Sequence, residues 1–394
     1  MLLLPLLVLG CADPADTGTH LDRSDTALTV LEEPPEPCPA LADRGTVTPL
    51  DVSPDSVSTW SVSWLSPDQP MVLAPAPNGH SRIAWTDTAG LVHLTPLDER
   101  DARQGPDAVT SGNSVRGAVA LADRTGVLIQ RDDEMVLVVF DLGGDVLWEH
   151  RFIGGASHTE VGDKWIDDWP HDGRLAWDGT RWIAYFGHNQ LWSSGKHQGD
   201  MLAFVSESGE RTNGGWSWGC SHSTDVRLAA EQGVVAPVCL SDCYPQKAIM
   251  LNHNTPVMAD PTGNCQGTNH AQLGGLARLS DGYGLSHGDA EGSVWWSWLP
   301  DAGAPSQPMW VAEGSHPHLA SYLSGQLITW ETDSQTWAMT LDKHGTPSSE
   351  PSRVSWRLAP RDDLVRFANG DIGSAGLAAD GSVEVLRIRA CSQP

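Results

Sequence analysis

Basic side chains are scarce in this chain. Lys and Arg together number 24 against 50 Asp and Glu, leaving a formal net charge of −26. A surface that acidic repels a phosphate backbone, which argues against nucleic acid as a partner. Tyrosine and phenylalanine are nearly as sparse, at 4 and 5 residues, whereas tryptophan reaches 18. The aromatic material for a core or a binding face is therefore mostly indole. No long stretch carries helical periodicity, which speaks against a helical or α/β fold. The leading apolar run, Met1 to Leu9, is too short to cross a bilayer as a helix. No G-x-S-x-G, H-E-x-x-H or G-x-x-x-x-G-K-[ST] pattern occurs, so the hydrolase elbow, the zincin helix and the P-loop are all missing. The acidic stretch DDEMVLVVFD (132–141) has no EF-hand spacing.

What the N-terminus does contain is MLLLPLLVLGCADPADTG. Its short apolar run has the character of a secretory h-region, although no Lys or Arg precedes it. The segment LVLGC, Leu7 to Cys11, resembles the bacterial lipobox. That resemblance implies a signal peptide over 1–10, lipidation of Cys11 and, with Ala12 following the cysteine, sorting to the outer membrane or cell surface. A diacylglyceryl group plus an amide-linked chain would meet the two-anchor requirement for stable attachment. Residues 11–40 are rich in Asp, Glu, Thr and Pro and have little to bury, so they read as a disordered, solvated tether. The folded domain is expected over 41–394.

Seven cysteines are present. Setting Cys11 aside leaves Cys38, Cys220, Cys239, Cys243, Cys265 and Cys391, an even number that suits three disulfides in an exported protein.

The chain repeats itself. A strongly apolar strand recurs as SRIAWTD (81–87), GVLIQRD (126–132), RWIAYFG (181–187), GVVAPVC (233–239), GYGLSHG (282–288), QLITWET (326–332) and DIGSAGLA (371–378). Each is followed by another strand, from LVHLTPL (91–97) to SVEVLRI (382–388). Apolar first strands such as GRLAW (173–177), VRLAA (226–230) and HLASY (318–322) come before. Alternation, β-branched content and Gly/Asp turns make these strands, and the period makes them repeats. Seven short antiparallel sheets of this kind resemble an all-β, seven-bladed β-propeller. The segment GTVTPLD (45–51) supplies the missing fourth strand of the last blade. A Cys38–Cys391 disulfide would staple that closure, removing the free edges of an open ring.

A propeller implies a geometry: the loop entering each inner strand and the loop between second and third strands share one face. Sorted this way, His171, His222, His270, His316 and His318 enter inner strands of units three to six, while His188, His197 and His287 sit in second-to-third-strand loops. His80, His253 and His344 map to the opposite face, and His20 to the tether. His93, His150 and His158 belong to outer strands or their loops. Carboxylates accompany the first group: Asp167, Asp168, Asp172, Asp200, Asp225 and Asp289. Imidazole and carboxylate converging on an axis could hold a transition metal or Ca²⁺, with His171, His222, His270, His316 and His318 as candidate ligands. Hydrogen bonding within turns is the competing role for the same residues. Iron-dependent carotenoid oxygenases and some polysaccharide lyases also place histidine near a propeller axis; the likeness is architectural, without a shared motif.

Cys220, Cys239, Cys243 and Cys265 map to this same face. Sequence proximity favours Cys220–Cys239 with Cys243–Cys265, hairpin register favours Cys220–Cys243, and both remain open. Paired cysteines cannot serve as nucleophiles, and no catalytic residue is assigned. The longest departures from the repeat are DKWIDDWPHDG (163–173) and GHNQLWSSGKHQGD (187–200), and long loops on a rigid scaffold are where function concentrates. Trp beside Asp and His is the make-up of a sugar site. The expected ligand-binding residues are Asp167, Trp169, His171, Asp172, His188, His197, Asp200, Trp218, His222 and Asp225. The sequence thus points to an envelope lipoprotein whose propeller binds a glycan, peptide or partner protein on the face of blades three to five. The alternative is a metal-dependent hydrolase, lyase or oxygenase with a histidine-ringed axis.

Overall fold

The computed structural model describes residues 39–52, 57, 71–155, 157–166, 172–223, 225–260, 265, 269–378 and 382–391. The expected signal peptide, Cys11, most of the tether and Cys38 lie outside these residues.

The repeating strands form seven antiparallel sheets. Strand β1 is Gly45–Pro49. Blade one is β2–β5 (Met71–Pro75, Ser81–Thr86, Leu91–Leu97, Ala108–Ser111), and blade two is β6–β9 (Ser114–Ala120, Arg124–Arg131, Glu134–Asp141, Val146–Ile153). Blade three is β11–β14 (Gly173–Trp177, Arg181–Trp192, Gly195–Ser206, Arg211–Trp216), with the short β10 (Lys164–Trp165) added against β12. Blade four is β15–β18 (Val226–Glu231, Val234–Ser241, Ala248–Leu251, Thr255–Ala259), and blade five is β19–β22 (Gln272–Leu279, Gly282–Gly288, Ser293–Pro300, Met309–Glu313). Blade six is β23–β26 (Ser315–Tyr322, Gly325–Thr332, Gln335–Leu341, Ser352–Val354). Blade seven joins β27–β29 (Val365–Arg366, Ile372–Leu377, Val383–Ile388) to β1. The first strands of blades one to seven contact one another in order, and the last returns to the first, so the sheets close into a ring. The fold is the seven-bladed β-propeller expected from the repeat.

The core follows from the strand patterning. Second and third strands are buried on both faces, so they read as continuous apolar runs rather than alternating ones. Each blade buries its faces against its neighbours. The clusters of buried residues accordingly straddle successive blade pairs, such as Leu137 with Phe186 between blades two and three, and Trp296 with Trp330 between five and six. Many of the abundant tryptophans serve this packing: Trp85, Trp182, Trp296, Trp330 and Trp356 are all buried. Trp296 lies directly over Gly345, whose φ of 82° and lack of a side chain both suit that place.

Ring closure is explicit. β1 pairs antiparallel with β29 from Gly45↔Ile388 to Pro49↔Glu384, so the N-terminal segment completes the last blade. Arg44 Nη1 donates to Tyr322 Oη at 2.9 Å, and that hydroxyl donates to the Arg389 carbonyl at 2.6 Å, tying the closure to blade six. Cys391 is disulfide-bonded, and its expected partner Cys38 lies outside the described residues. Peptide mapping under non-reducing conditions is expected to recover Cys38 joined to Cys391; either cysteine found with another partner would undo the staple.

Candidate functional site: a pinned rim over blades three and four

The hairpin β12–β13 is the longest among the described residues, with 12 residues in each strand. Inner strand β11 stops pairing with it at Gly173↔Phe186, yet β12 and β13 remain paired as far as Trp192↔Gly195. The hairpin therefore overshoots its blade on the face where the inner strands begin. β10 covers part of the overshoot, pairing Lys164↔Gln190 and Trp165↔Asn189.

Beside the overshoot lies the loop 217–223, fastened from several sides. Cys220 is disulfide-bonded to Cys239, and Cys243 to Cys265, with Cα–Cα distances of 6.5 Å and 4.5 Å. The pairing that sequence proximity favours is the one formed. The Asp200 carboxylate, fully buried, accepts from Tyr185 Oη at 2.9 Å, Trp216 Nε1 at 2.8 Å and the Cys220 amide at 3.2 Å. Burial pushes this carboxyl up to about 6. The Ser221 amide donates to the Tyr244 carbonyl at 2.9 Å, and the His222 amide to the Gln198 carbonyl at 3.2 Å. The result is a loop locked between the hairpin of blade three and the 241–247 segment of blade four.

This framework presents an aromatic and polar rim. Trp192 and Trp218 meet edge to face with ring centroids 5.5 Å apart, and Trp192 is 39% exposed. Trp218 rests against Gly199, where a Cβ would lie within 2.8 Å of the indole, so only glycine permits the contact. The side chain of His222 is half exposed, with Nδ1 2.9 Å from Asp242; that hydrogen bond holds the imidazole above its ordinary value. Tyr244 is 61% exposed. Lys164 donates to the Ser217 carbonyl at 2.9 Å, and burial lowers its ammonium to about 8.

Beneath the rim, at the axis, sits a buried ionic network. Arg174 bonds Asp172 at 2.5 Å and Asp363 at 2.7 Å; Arg227 bonds Asp225 at 2.5 Å and Asp172 at 3.4 Å. Burial raises the Asp172 carboxyl, but Arg174, Arg361 and Arg227 outweigh it and hold the group far below the usual range. Burial pushes the neighbouring Asp225 up to about 6.

The expected site residues are distributed as follows. Asp167, Asp168, Trp169 and His171 lie outside the described residues. Asp172 and Asp225 belong to the axial network. Asp200, Trp218 and His222 build the rim. His188 is buried beside it, with Nδ1 2.8 Å from the Asn189 carbonyl and Nε2 3.1 Å from that of Ser217. His197 is exposed, with Nε2 2.9 Å from Ser194 Oγ. Of the expected metal ligands, His222 faces Asp242, His316 Nδ1 lies 3.1 Å from Glu331, His270 is exposed, and His318 is buried with Nδ1 2.9 Å from the Asp362 carbonyl. The metal-competent group among the described residues is a different one: Asp200, Cys220 and Cys239 offer ligand atoms within 4.8 Å of one another. Its two sulfurs are joined as a disulfide, and thiolates for a metal would exist there only after reduction.

Sequence reasoning misses Tyr244, Asp242 and the arginines at the axis. A signal for the last is present. Arg116, Arg174 and Arg227 each stand near the start of an inner strand in three successive blades, in VRGA, GRLA and VRLA.

His318 yields a pH prediction. Burial lowers its imidazole to about 3, from an ordinary 6.5. The folded state thus binds the proton less readily than the unfolded state. Its stabilising share is present above pH 6.5 and is lost as pH falls below it. Chemical denaturation of wild type and His318→Gln across pH 7 to 5 should show wild type losing about 1.4 kcal/mol per unit below 6.5 relative to the variant. Parallel pH profiles would refute the assignment.

No family model matches the chain, and no curated protein matches it. Solved structures with a similar arrangement include the AfRom2 CNH domain (9% identity, TM-score 0.45, covering 88% of this chain and 100% of that one). A subtype N10 neuraminidase-like protein from a little yellow-shouldered bat isolate gives 7% identity and TM-score 0.41, covering 86% of this chain and 97% of that one. The Dos1 propeller gives 12% and 0.33, covering 79% and 75%. Likenesses this distant carry no inference about ligand or activity.

Proposed function

We propose that this chain is an exported binding module that takes a glycan on the rim of blades three and four, anchored to the envelope through Cys11. The observation that carries the reading is the Trp192–Trp218 pair, partly exposed on a scaffold fixed by two disulfides and the Asp200 hydrogen bonds. Indole faces cover the apolar side of a pyranose, while Tyr244, His222, Asp242 and Lys164 offer donors and acceptors for hydroxyls. A rim that is rigid before binding loses little entropy on binding. Screening the purified protein against a glycan array, with calorimetry on the best hits, tests the reading directly: saturable binding of at least one oligosaccharide is expected, and a blank array refutes it. The anchor is tested separately. Mass spectrometry of the mature N-terminus is expected to find Cys11 acylated, whereas a free amine on a later residue would exclude it.

A further inference from the structure

The opposite face of the ring carries a second feature. A cavity of about 790 Å³ opens there along the axis, bounded by the turns that leave the inner strands. It continues into a narrower space of about 170 Å³, which ends at Arg174, Arg227 and Asp363 of the axial network. Both spaces share Leu73, Ala118, Leu175, Leu228, Leu276 and Val365 as walls, contributed by six different blades. The volume lies in the range of a small-molecule site. Among the described residues, its charged lining consists of Arg278, Lys343, Arg366 and Glu231. Three cations against one acid is a local reversal in a chain whose acidic residues outnumber its basic ones by 50 to 24. Arg278 is committed, bonding Asp301 and lying over the Tyr283 ring, while Lys343 and Arg366 are exposed.

We infer that the axial channel binds a single-chain anionic amphiphile, a fatty acid, with its tail along the wall at Ala118, Leu228 and Leu276 and its carboxylate at Lys343 and Arg366. Ala118, Leu228 and Leu276 are partly exposed and offer the tail apolar surface, and the mouth supplies the charge that the rest of the surface withholds. The end at Arg174 and Arg227 does not compete for the head group. Arg227 already donates to the Gly274 and Leu273 carbonyls and pairs with Asp225. The inference is independent of the glycan reading, because the two sites lie on opposite faces.

Calorimetric titration tests it, with dodecanoate below its micelle concentration as the probe and acetate and dodecyltrimethylammonium as controls. Wild type is expected to bind one dodecanoate saturably, at least tenfold tighter than dodecyltrimethylammonium, with no binding of acetate. Lys343→Glu/Arg366→Glu, at two exposed positions, should weaken dodecanoate at least tenfold and narrow or reverse the preference. Leu276→Phe, which narrows the channel without touching its charge, should weaken both amphiphiles alike. Absence of saturable dodecanoate binding, equal affinity for the two amphiphiles in wild type, or an unchanged Lys343→Glu/Arg366→Glu variant would each overturn the proposal. Circular dichroism of the variants confirms that they remain folded. Should the double variant fail that check, Arg366→Gln alone serves the same comparison.

Discussion

Replacing Arg227 by methionine should cost the fold about 3–5 kcal/mol, among the largest effects of any single substitution outside the apolar core. Arg227 is 3% exposed and gathers contacts from three directions. Its Nε and Nη2 donate to the Gly274 and Leu273 carbonyls of blade five at 2.6 Å and 2.9 Å, while Nη1 meets Asp225, Asp172 and its own blade's Val226 carbonyl. Methionine keeps much of the volume but takes this donor away from three carbonyls and the Asp225 carboxylate inside the ring. A buried ion pair is weak evidence of net stability when both partners are exchanged for apolar groups, but removing one partner strands the other. Denaturant midpoints at constant slope measure the loss, and the exposed Arg100, replaced in the same way, should change stability by less than about 0.5 kcal/mol. An Arg227→Met protein within about 1 kcal/mol of wild type would mean that the axial network is dispensable.

The second large effect concerns binding rather than stability. Truncating Trp192 and Trp218 to alanine together should reduce affinity for the best glycan at least a hundredfold, since a central aromatic anchor is commonly worth about 2 kcal/mol or more and each 1.4 kcal/mol is roughly a factor of ten. Trp192 is the cleaner single test. At 39% exposure on the projecting end of the hairpin, its removal opens no interior space, so the midpoint of unfolding should hardly move while binding falls. Trp218 also packs on Gly199, so its truncation should cost some stability as well. Trp310, 58% exposed on the outer strand of blade five, is the control whose loss should leave affinity unchanged. Equal losses from Trp192→Ala and Trp310→Ala would deny the rim any special part.

Much of this architecture is legible in the chain itself. Burial of second and third strands on both faces writes unbroken apolar runs into the sequence, and their spacing counts the blades. Closure by GTVTPLD is legible because the last repeat visibly lacks a strand. The outer strands are harder. β14, over Arg211–Trp216, is mostly exposed and reads RTNGGW, with little apolar patterning to mark it. The overshoot of β12–β13 is also hidden, since GHNQLWSSGKHQGD has the composition of a loop, and only its cross-strand pairing makes it a hairpin. For the site, loop sorting assigns residues to a face but does not pair them. His222 finds Asp242 and His316 finds Glu331 through folding of segments 20 and 15 positions apart, which no local pattern announces. The axial arginines show the reverse case: a repeat in register is visible, and its meaning appears only when the inner strands are brought to one axis.

The central claim is that the pinned rim, and not another surface of the ring, receives the glycan. Hydrogen exchange with and without the best oligosaccharide from the array tests it most directly, because opening of backbone amides reports where a ligand adds protection. Protection confined to 187–200, 217–223 and 241–247 is the predicted result. Protection at the turns around the axial channel, or on the outer strands, with the rim unchanged, would contradict it.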